Sequence, residues 1–287
     1  MTVLEVIQKS AEFLARKGVE SPRLQAELLL AHRLKLPRMK LYLNFERALT
    51  PPEVDDFRAL IKRRGEREPL QHIIGSTSFC GLELAVNRHV LVPRPETEIL
   101  AELGWQFLNQ LSIRNSQPLA ALDFGTGSGC LAIALAAKCP TAQVWAIDVS
   151  PNALELAKQN AARHNVASRI QFWQGDGFAA LRQEMCFDLI ISNPPYIAGA
   201  EIESLQFEVR GYDPRCALDG GPDGLDYFRV LAAGAPPLIK TGGRVMLEFG
   251  GGQADAVCAI FEKQKWIVEA VKQDYSHQPR VLVARRA

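Results

Sequence analysis

Hydrophobic positions divide the chain into a short helical part and a longer part in which strands and helices alternate. Apolar side chains recur at near-helical spacing over residues 3–14. Ser21-Pro22 and Thr50-Pro51 are helix-start signals, because a hydroxyl residue can cap a helix and proline's fixed φ suits its first turn. We therefore predict a small all-α N-terminal domain over residues 1–70.

The pattern changes over residues 71–95. Apolar positions from Ile73 to Val86 are interrupted by Gly75 and Gly81, which predicts a β-hairpin linker.

From residue 96 to residue 287, apolar strands alternate with helical stretches. This alternation predicts an α/β domain with a mostly parallel sheet and helices on both faces. The predicted strands are 119–123, 143–147, 170–174, 187–192, 243–249, 266–272 and 280–286, and the predicted helices are 129–138, 152–164, 223–238 and 252–264. Only residues 273–279 join the last two strands. Since a parallel crossover needs about a dozen residues, we expect these strands to be antiparallel.

Composition narrows the class of protein. The chain has 287 residues, of which 47% are hydrophobic and 23% charged, and this is ordinary globular composition. No apolar run approaches the roughly 18 residues of a membrane span, and no export signal is recognisable, so we expect a cytoplasmic protein without a membrane partner. The six cysteines show no metal-ligand spacing, which predicts reduced thiols and no metal site. A net charge of +1 argues against a stable nucleic-acid partner.

The first chemical motif is Asp123-Phe124-Gly125-Thr126-Gly127-Ser128-Gly129, which follows a predicted strand and opens a helix. Glycines there let the backbone approach a ligand, and the helix start offers free N–H groups. The next strand ends in Asp148, which suits hydrogen bonds from ribose hydroxyls. Together they predict a nucleoside-cofactor site. The structural alternative is a tight turn with Asp148 as a helix cap.

The second motif is Asn193-Pro194-Pro195-Tyr196, directly after the apolar run 187–191. The prolines end the strand at the carboxyl edge of the sheet, where open α/β sheets bind ligands. The Asn193 oxygen and the Pro194 carbonyl can accept both hydrogens of one NH₂ group, and Tyr196 can stack on a planar acceptor. This arrangement suits methylation of a planar nitrogen. The alternative is an Asn-Pro turn with a core tyrosine.

These motifs resemble those of class I S-adenosylmethionine-dependent methyltransferases, and within them the chain is similar to the peptide-chain release factor glutamine methyltransferase family over nearly its whole length. The supporting segments are the helical N-terminal domain, Val92-Pro93-Arg94-Pro95-Glu96-Thr97-Glu98, residues 208–210 and residues 217–221. Pro95 after Arg94 separates this family from the sister family that methylates a ribosomal-protein glutamine, which usually has serine there.

The resemblance implies a seven-stranded sheet with an antiparallel last strand, and S-adenosylmethionine as cofactor. It implies methyl transfer to the glutamine amide of a Gly-Gly-Gln motif in release factors, which are the expected partners, and a substrate-docking role for residues 1–70. The implied cofactor contacts are Gly125, Thr126, Gly127, Ser128, Gly129, Asp148, Asp176, Gly177 and Asn193. The implied substrate contacts are Asn193, Pro194, Pro195 and Tyr196, with Asn193, Pro194 and Tyr196 as the catalytic set. In relatives an aromatic residue often stands where this chain has Gly177.

Several alternatives stay open at this point. The acceptor could be a ribosomal-protein glutamine or an exocyclic amino group of adenine or guanine, or the chain could be a catalytically idle module that binds nucleosides or the ribosome. The segment 92–98 can act as a helix start, and the basic residues 62–64 with Arg67 can be a solvated helix face or meet a partner. Gly251-Gly252-Gln253 copies the family's target tripeptide, but it is read as a glycine loop after a strand.

Overall fold

The computed structural model describes residues 1–113, 117–181 and 184–287. Its helices are α1 Val3–Arg16, α2 Pro22–Leu34, α3 Arg38–Tyr42, α4 Pro51–Gly65, α5 Leu70–Ile74, α6 Pro95–Ser112, α7 Cys130–Lys138, α8 Pro151–Arg163, α9 Phe207–Tyr212, α10 Asp226–Gly234 and α11 Ala254–Lys263. Its strands are β1 Ser76–Phe79, β2 Leu82–Ala85, β3 Leu119–Phe124, β4 Ala142–Asp148, β5 Ile170–Gln174, β6 Phe187–Ser192, β7 Ile239–Glu248, β8 Trp266–Gln273 and β9 Pro279–Arg286. None of the described helices is both long and apolar enough to cross a membrane.

The chain divides into two compact units. The first is helical and consists of Met1–Ser76 together with Gln206–Tyr212. The second consists of Thr77–Leu205 and Asp213–Ala287.

Caps fix two of the helix starts in the helical unit. Thr2 and Thr50 each form a capping box, with Glu5 and Glu53 respectively. Ser21 does not cap α2 with its side chain, because its backbone lies in the left-handed region at φ 48°. That detail of the predicted start is wrong, although Pro22 does open the helix.

The basic run at the end of α4 is partly paired within the helical unit. The prediction of a solvated face is wrong for Arg64 and Arg67, whereas Lys62 and Arg63 are exposed. Arg64 is 4% exposed, and its guanidinium donates to Gln25 and, at 2.9 Å, to Glu208. Arg67 donates to both oxygens of Glu208, each at 2.6 Å. These guanidinium hydrogen bonds outweigh the effect of burial and lower the pKa of Glu208 to about 2. Arg63 pairs with Glu68.

The two strands of the linker region cover fewer residues than predicted. Ile73 and Ile74 belong to α5 rather than to a strand. The hairpin is β1–β2, and it turns at Cys80 and Gly81 with φ of 51° and 77°, where glycine adopts the left-handed region without cost.

The seven-stranded sheet has the order β5-β4-β3-β6-β7-β9-β8. β3 to β7 are parallel, and β9 runs antiparallel to both β7 and β8, so the prediction of an antiparallel final pair is confirmed. Alternate residues of β3 enter two separate cores: Leu119 and Ala121 pack with α6 and α7, whereas Leu122 and Phe124 pack with α10 and α11. Helices therefore cover both faces, as the alternating pattern predicts.

Asn160 of α8 links the hairpin to the loop that follows β3. Its side chain is fully buried, accepts from the Ala85 N–H at 2.7 Å, and donates to the carbonyl oxygens of Ala85 and Ser128, both at 3.0 Å. One side chain thus satisfies three backbone groups, of which the Ser128 carbonyl belongs to a buried residue.

Asn160→Ala should lower the free energy of unfolding by about 3 kcal/mol, because it leaves three backbone groups without their hydrogen-bond partner. Urea unfolding followed by circular dichroism measures this loss. Gln159→Ala, at an exposed position of the same helix, is the matched control and should change stability by less than about 0.5 kcal/mol. Equal midpoints for the two variants would contradict this role.

Candidate active site

A cleft opens at the carboxyl ends of β3, β4, β5 and β6 in the second unit. Of the residues predicted to form the site, ten line it: Gly125, Thr126, Gly127, Ser128, Asp148, Asp176, Gly177, Asn193, Pro194 and Pro195. Gly129 and Tyr196 are placed elsewhere in the described structure. Gly129 packs under the loop, where an added Cβ would lie 3.0 Å from Ala157 and Ile133.

The glycine loop turns sharply between β3 and α7, and Asp123 holds it from below. Gly125, Gly127 and Gly129 have φ of 74°, 54° and 83°. One oxygen of the buried Asp123 accepts from the Thr126 hydroxyl at 2.6 Å and from the Ala132 N–H at 3.1 Å. Burial raises the pKa of Asp123 to about 7.

Asp148 tightens the same loop from the end of β4. Its carboxylate accepts from the Gly127 N–H and from the Ser150 N–H, both at 2.8 Å. The helix cap suggested for Asp148 is provided by Ser150, whose hydroxyl accepts from the Ala153 N–H. Burial raises the pKa of Asp148. Its position at the cleft wall leaves it available to a ligand.

The loop after β5 is shaped by Phe178 packing inward. The centroid of the Phe178 ring lies 4.9 Å from that of Phe124. A Cβ added on Gly234 would lie 2.4 Å from the Phe178 ring. Gly177 lines the cleft with a φ of 56°, and a Cβ there would lie 3.1 Å from Phe124. The aromatic surface at this wall therefore comes from Phe124 on β3.

The Asn-Pro-Pro-Tyr segment follows β6 and is fixed by backbone contacts. Ser192 donates its hydroxyl to the Phe124 carbonyl at 2.6 Å. Ile197 donates its N–H to the Leu218 carbonyl and accepts from the Gly220 N–H. Residues 217–221, which the sequence singled out without assigning them a role, thus pair with the chain that leaves the motif.

Asn193 has a defined orientation. Its side-chain nitrogen donates to the Thr97 hydroxyl oxygen at 3.0 Å. The amide oxygen is therefore the end left to accept a hydrogen bond in the cleft. Thr97 itself is 1% exposed and lies in the first turn of α6, which begins at Pro95 as the segment 92–98 predicts.

Tyr196 sits behind the prolines against the carboxyl end of β7. Burial raises its pKa to about 12. The Gln253 side chain donates to the Tyr196 carbonyl at 2.9 Å and accepts from the Gly250 N–H at 2.8 Å. The Gly-Gly-Gln tripeptide of this chain is therefore a loop whose glutamine supports the Asn-Pro-Pro-Tyr segment. This agrees with its interpretation as a glycine loop after a strand.

Other cleft residues were missed by sequence reasoning. His89 and Val90 line it from the segment after the hairpin, Tyr227 lines it from α10, and Pro214 and Cys216 line it from the segment before residue 217. Nothing in the local sequence marks them, because they reach the cleft through long-range packing. Arg94 pairs with the buried Asp213 at 2.9 Å and so joins the segment 92–98 to the segment that carries Pro214 and Cys216.

Comparisons with known proteins agree with this architecture. A family model described as the PrmC N-terminal domain matches residues 5–75, and one described as the methyltransferase small domain matches residues 105–208. The release factor glutamine methyltransferase of Geobacter sulfurreducens is 43% identical over 99% of this chain and 96% of its own length. That of Chlorobaculum tepidum is 41% identical, over 98% and 96%. A solved methyltransferase from Pyrococcus furiosus superposes with a TM-score of 0.51 at 21% identity, over 72% of this chain and 90% of its own.

The sheet order, the glycine loop and the acid at the end of β4 define a class I methyltransferase. Within this class, the two release factor glutamine methyltransferases are more than 40% identical to this chain over nearly its whole length. The chain belongs to the release factor glutamine methyltransferase family.

Gly220→Ala should displace the Asn-Pro-Pro-Tyr segment, because its Cβ would lie 2.8 Å from both the Pro195 carbonyl oxygen and the Tyr196 Cα. We expect kcat for methyl transfer to fall at least about tenfold, since small misplacements of a reacting group are costly. Gly251→Ala is the matched control, because its Cβ would meet open space, and it should retain the parent rate. A normal rate for Gly220→Ala would show that residues 217–221 do not position the Asn-Pro-Pro-Tyr segment.

Proposed function

We propose that the chain transfers a methyl group from S-adenosylmethionine to the side-chain amide nitrogen of the glutamine in the Gly-Gly-Gln motif of peptide-chain release factors. The observation that carries this proposal is the orientation of Asn193. Its nitrogen is bound to Thr97, which leaves its oxygen to act, together with the carbonyl of the cleft residue Pro194, as the proposed pair of acceptors for one NH₂ group.

The cleft fits S-adenosylmethionine in charge and shape. A Cβ on Gly125 or Gly127 would meet open space, so the backbone there can lie directly against a ligand. Asp148 suits ribose hydroxyls, and the Phe124 ring with the Gly177 backbone suits a flat base. Asp123 has one buried oxygen that carries no hydrogen bond within the described residues. The bound sulfonium would supply an already activated methyl group.

The residues of the acceptor site hold and orient the substrate nitrogen. Two acceptors align the amide plane and stabilise positive charge that develops on nitrogen as the new bond forms. No base is needed before transfer, because the nitrogen loses a proton readily once it carries the methyl group and the charge. Pro194 contributes its carbonyl and, lacking an N–H, offers no competing donor.

The helical unit is the proposed docking surface for the release factor. Its first 75 residues carry four more positive than negative charges. An acidic partner surface would complement this excess.

The decisive assay transfers labelled methyl groups from S-adenosylmethionine to purified release factor, ribosomal protein, DNA and RNA side by side. We expect label only on release factor, at the glutamine of its Gly-Gly-Gln motif. Label on the ribosomal protein, or on adenine or guanine, would replace the proposed substrate by one of these alternatives.

Gly127→Asp should abolish binding of S-adenosylmethionine. The new side chain would enter the space at the cleft wall and place a carboxylate beside Asp148, whose oxygen the Gly127 N–H already contacts at 2.8 Å. Titration calorimetry measures the affinity. Gly251→Asp, in open space away from the cleft, is the control and should bind as the parent does.

Asn193→Ala should reduce kcat about 10²–10³-fold with release factor saturating, the usual cost of losing a preorganised polar partner. Asn193→Asp keeps an acceptor oxygen but cannot donate to Thr97, so we expect intermediate activity. Tyr196→Phe should have a mild effect on kcat, because Tyr196 lies behind the prolines and does not line the cleft. Near-normal kcat for Asn193→Ala would remove this mechanism, whatever the effect on cofactor affinity.

A further inference from the structure

The positive charge of the helical unit is concentrated in one short segment. Residues 28–45 contain four basic side chains, Arg33, Lys35, Arg38 and Lys40, and no acidic one. The other residues from 1 to 75 carry ten basic and ten acidic side chains, so the whole excess of positive charge lies in residues 28–45. A segment of this kind attracts an acidic surface.

Two of these four cations are paired within the helical unit. Arg33 donates to Asp56 at 2.8 Å. Arg38 lies 3.7 Å from Glu27, which is 2% exposed. These two guanidinium groups therefore serve the packing of the helices.

The other two cations, Lys35 and Lys40, alternate along the chain with two exposed apolar side chains. Both lysines are exposed, and neither forms an ion pair with a residue that the structure describes. Met39 and Leu43 are 68% and 76% exposed, the highest values among the large apolar side chains described in the helical unit. They stand four residues apart on α3 and its C-cap, so they lie on the same side of the helix. We call Lys35, Met39, Lys40 and Leu43 the α3 patch.

The helix that carries the α3 patch is held in place from its other side. Leu41 of α3 is fully buried in the core of the helical unit. The Tyr42 hydroxyl donates to Glu27 at 2.9 Å, and the centroid of the Tyr42 ring lies 5.1 Å from that of Phe45. The helix is therefore ordered before any partner binds, which lowers the entropic cost of binding.

We propose that the α3 patch docks the protein substrate of this methyltransferase, and that it fits an apolar recess of the release factor bordered by Asp or Glu side chains. Met39 and Leu43 fill the recess, and Lys35 and Lys40 pair with carboxylates at its edge, the usual arrangement of an apolar interface core and a polar rim. This inference rests on the proposed function, because it takes the release factor as the substrate.

The combination of side chains in the α3 patch favours a protein partner over a nucleic acid or a membrane. Phosphate groups would pair with the two lysines but would leave Met39 and Leu43 in water. A bilayer would bury both apolar side chains, but α3 has only five residues and offers little apolar area for membrane binding. An acidic protein surface with an apolar recess satisfies all four side chains.

The first experiment removes the apolar side chains and measures methyl transfer to release factor. Met39→Ser/Leu43→Ser should raise KM for release factor at least about tenfold, because central apolar contacts carry much of the energy of an interface. The value of kcat and the affinity for S-adenosylmethionine should be unchanged. Titration calorimetry with release factor compares the same proteins as dissociation constants. A parent KM, or a loss of kcat at unchanged KM, would overturn the proposal.

Tyr275→Ser is the control for this variant. Tyr275 is 72% exposed in the turn between β8 and β9, in the second unit. Its replacement removes a comparable exposed apolar side chain, and KM for release factor should stay at the parent value.

The second experiment reverses the two unpaired charges. Lys35→Glu/Lys40→Glu should raise KM for release factor at least about fivefold at low ionic strength. The difference from the parent should shrink as salt is added, because salt screens exposed charges.

Lys263→Glu/Lys265→Glu is the matched control for the charge reversal, because it changes the net charge by the same amount. Lys263 lies in the last turn of α11, as Lys40 lies in that of α3, and Lys265 has a φ of 62°, close to the 53° of Lys35. This control should keep the parent KM. Equal KM values for the two double variants would overturn the proposal.

Further outcomes separate the possible partners and the two proposals. Binding of ribosomal RNA, or of vesicles that contain phosphatidylglycerol, that is lost in both patch variants while KM for release factor stays at the parent value would overturn the docking role. If the parent enzyme labels no glutamine in release factor, the proposed function fails. If the parent labels it and both patch variants keep its KM, only the docking role of the α3 patch fails.

Discussion

The parallel register of β3, β4, β5 and β6 is the constraint on which the site depends. Phe124 lies opposite Ile147, and Asp148 opposite Gln174, so the loops that follow these strands begin side by side. β6 joins the same edge through its pairing with β3. Because the carboxyl ends of parallel strands meet at one edge, three loops far apart in sequence form a single cleft. The Ser192 hydroxyl fastens two of them by donating to the Phe124 carbonyl.

Neighbouring glycines pack closely against the Asn-Pro-Pro-Tyr segment. Added Cβ atoms on Gly220, Gly224 and Gly250 would lie within 3.0 Å of atoms of the Asn-Pro-Pro-Tyr segment. Backbone thus packs directly on backbone, and the two prolines stiffen what remains. The position of the acceptor carbonyl is therefore set by the main chain, while the orientation of Asn193 depends on the Thr97 hydroxyl.

The sequence predicts the central strands well because β3 and β6 are apolar runs buried on both faces, and burial of this kind leaves a continuous signal. It also indicates the glycine loop, Asp148 and Asn193, since each directly follows such a run. It could not predict Thr97 as the partner of Asn193, 96 residues away, or Asn160 as the link to the hairpin. Those contacts arise from packing between distant helices and loops, and no local pattern encodes them.

The composition of the helical unit has a consequence for biosynthesis. Arg64, which is 4% exposed, receives its carboxylate partner from Glu208, 144 residues further along the chain. A nascent chain that has emerged only as far as the hairpin therefore contains Arg64 before its counter-charge, Glu208, has been synthesised. At about 5–20 residues per second, the wait is on the order of ten seconds. The first 76 residues thus emerge from the ribosome before the second unit, yet the helical unit completes its contacts only after much of the sheet has been translated.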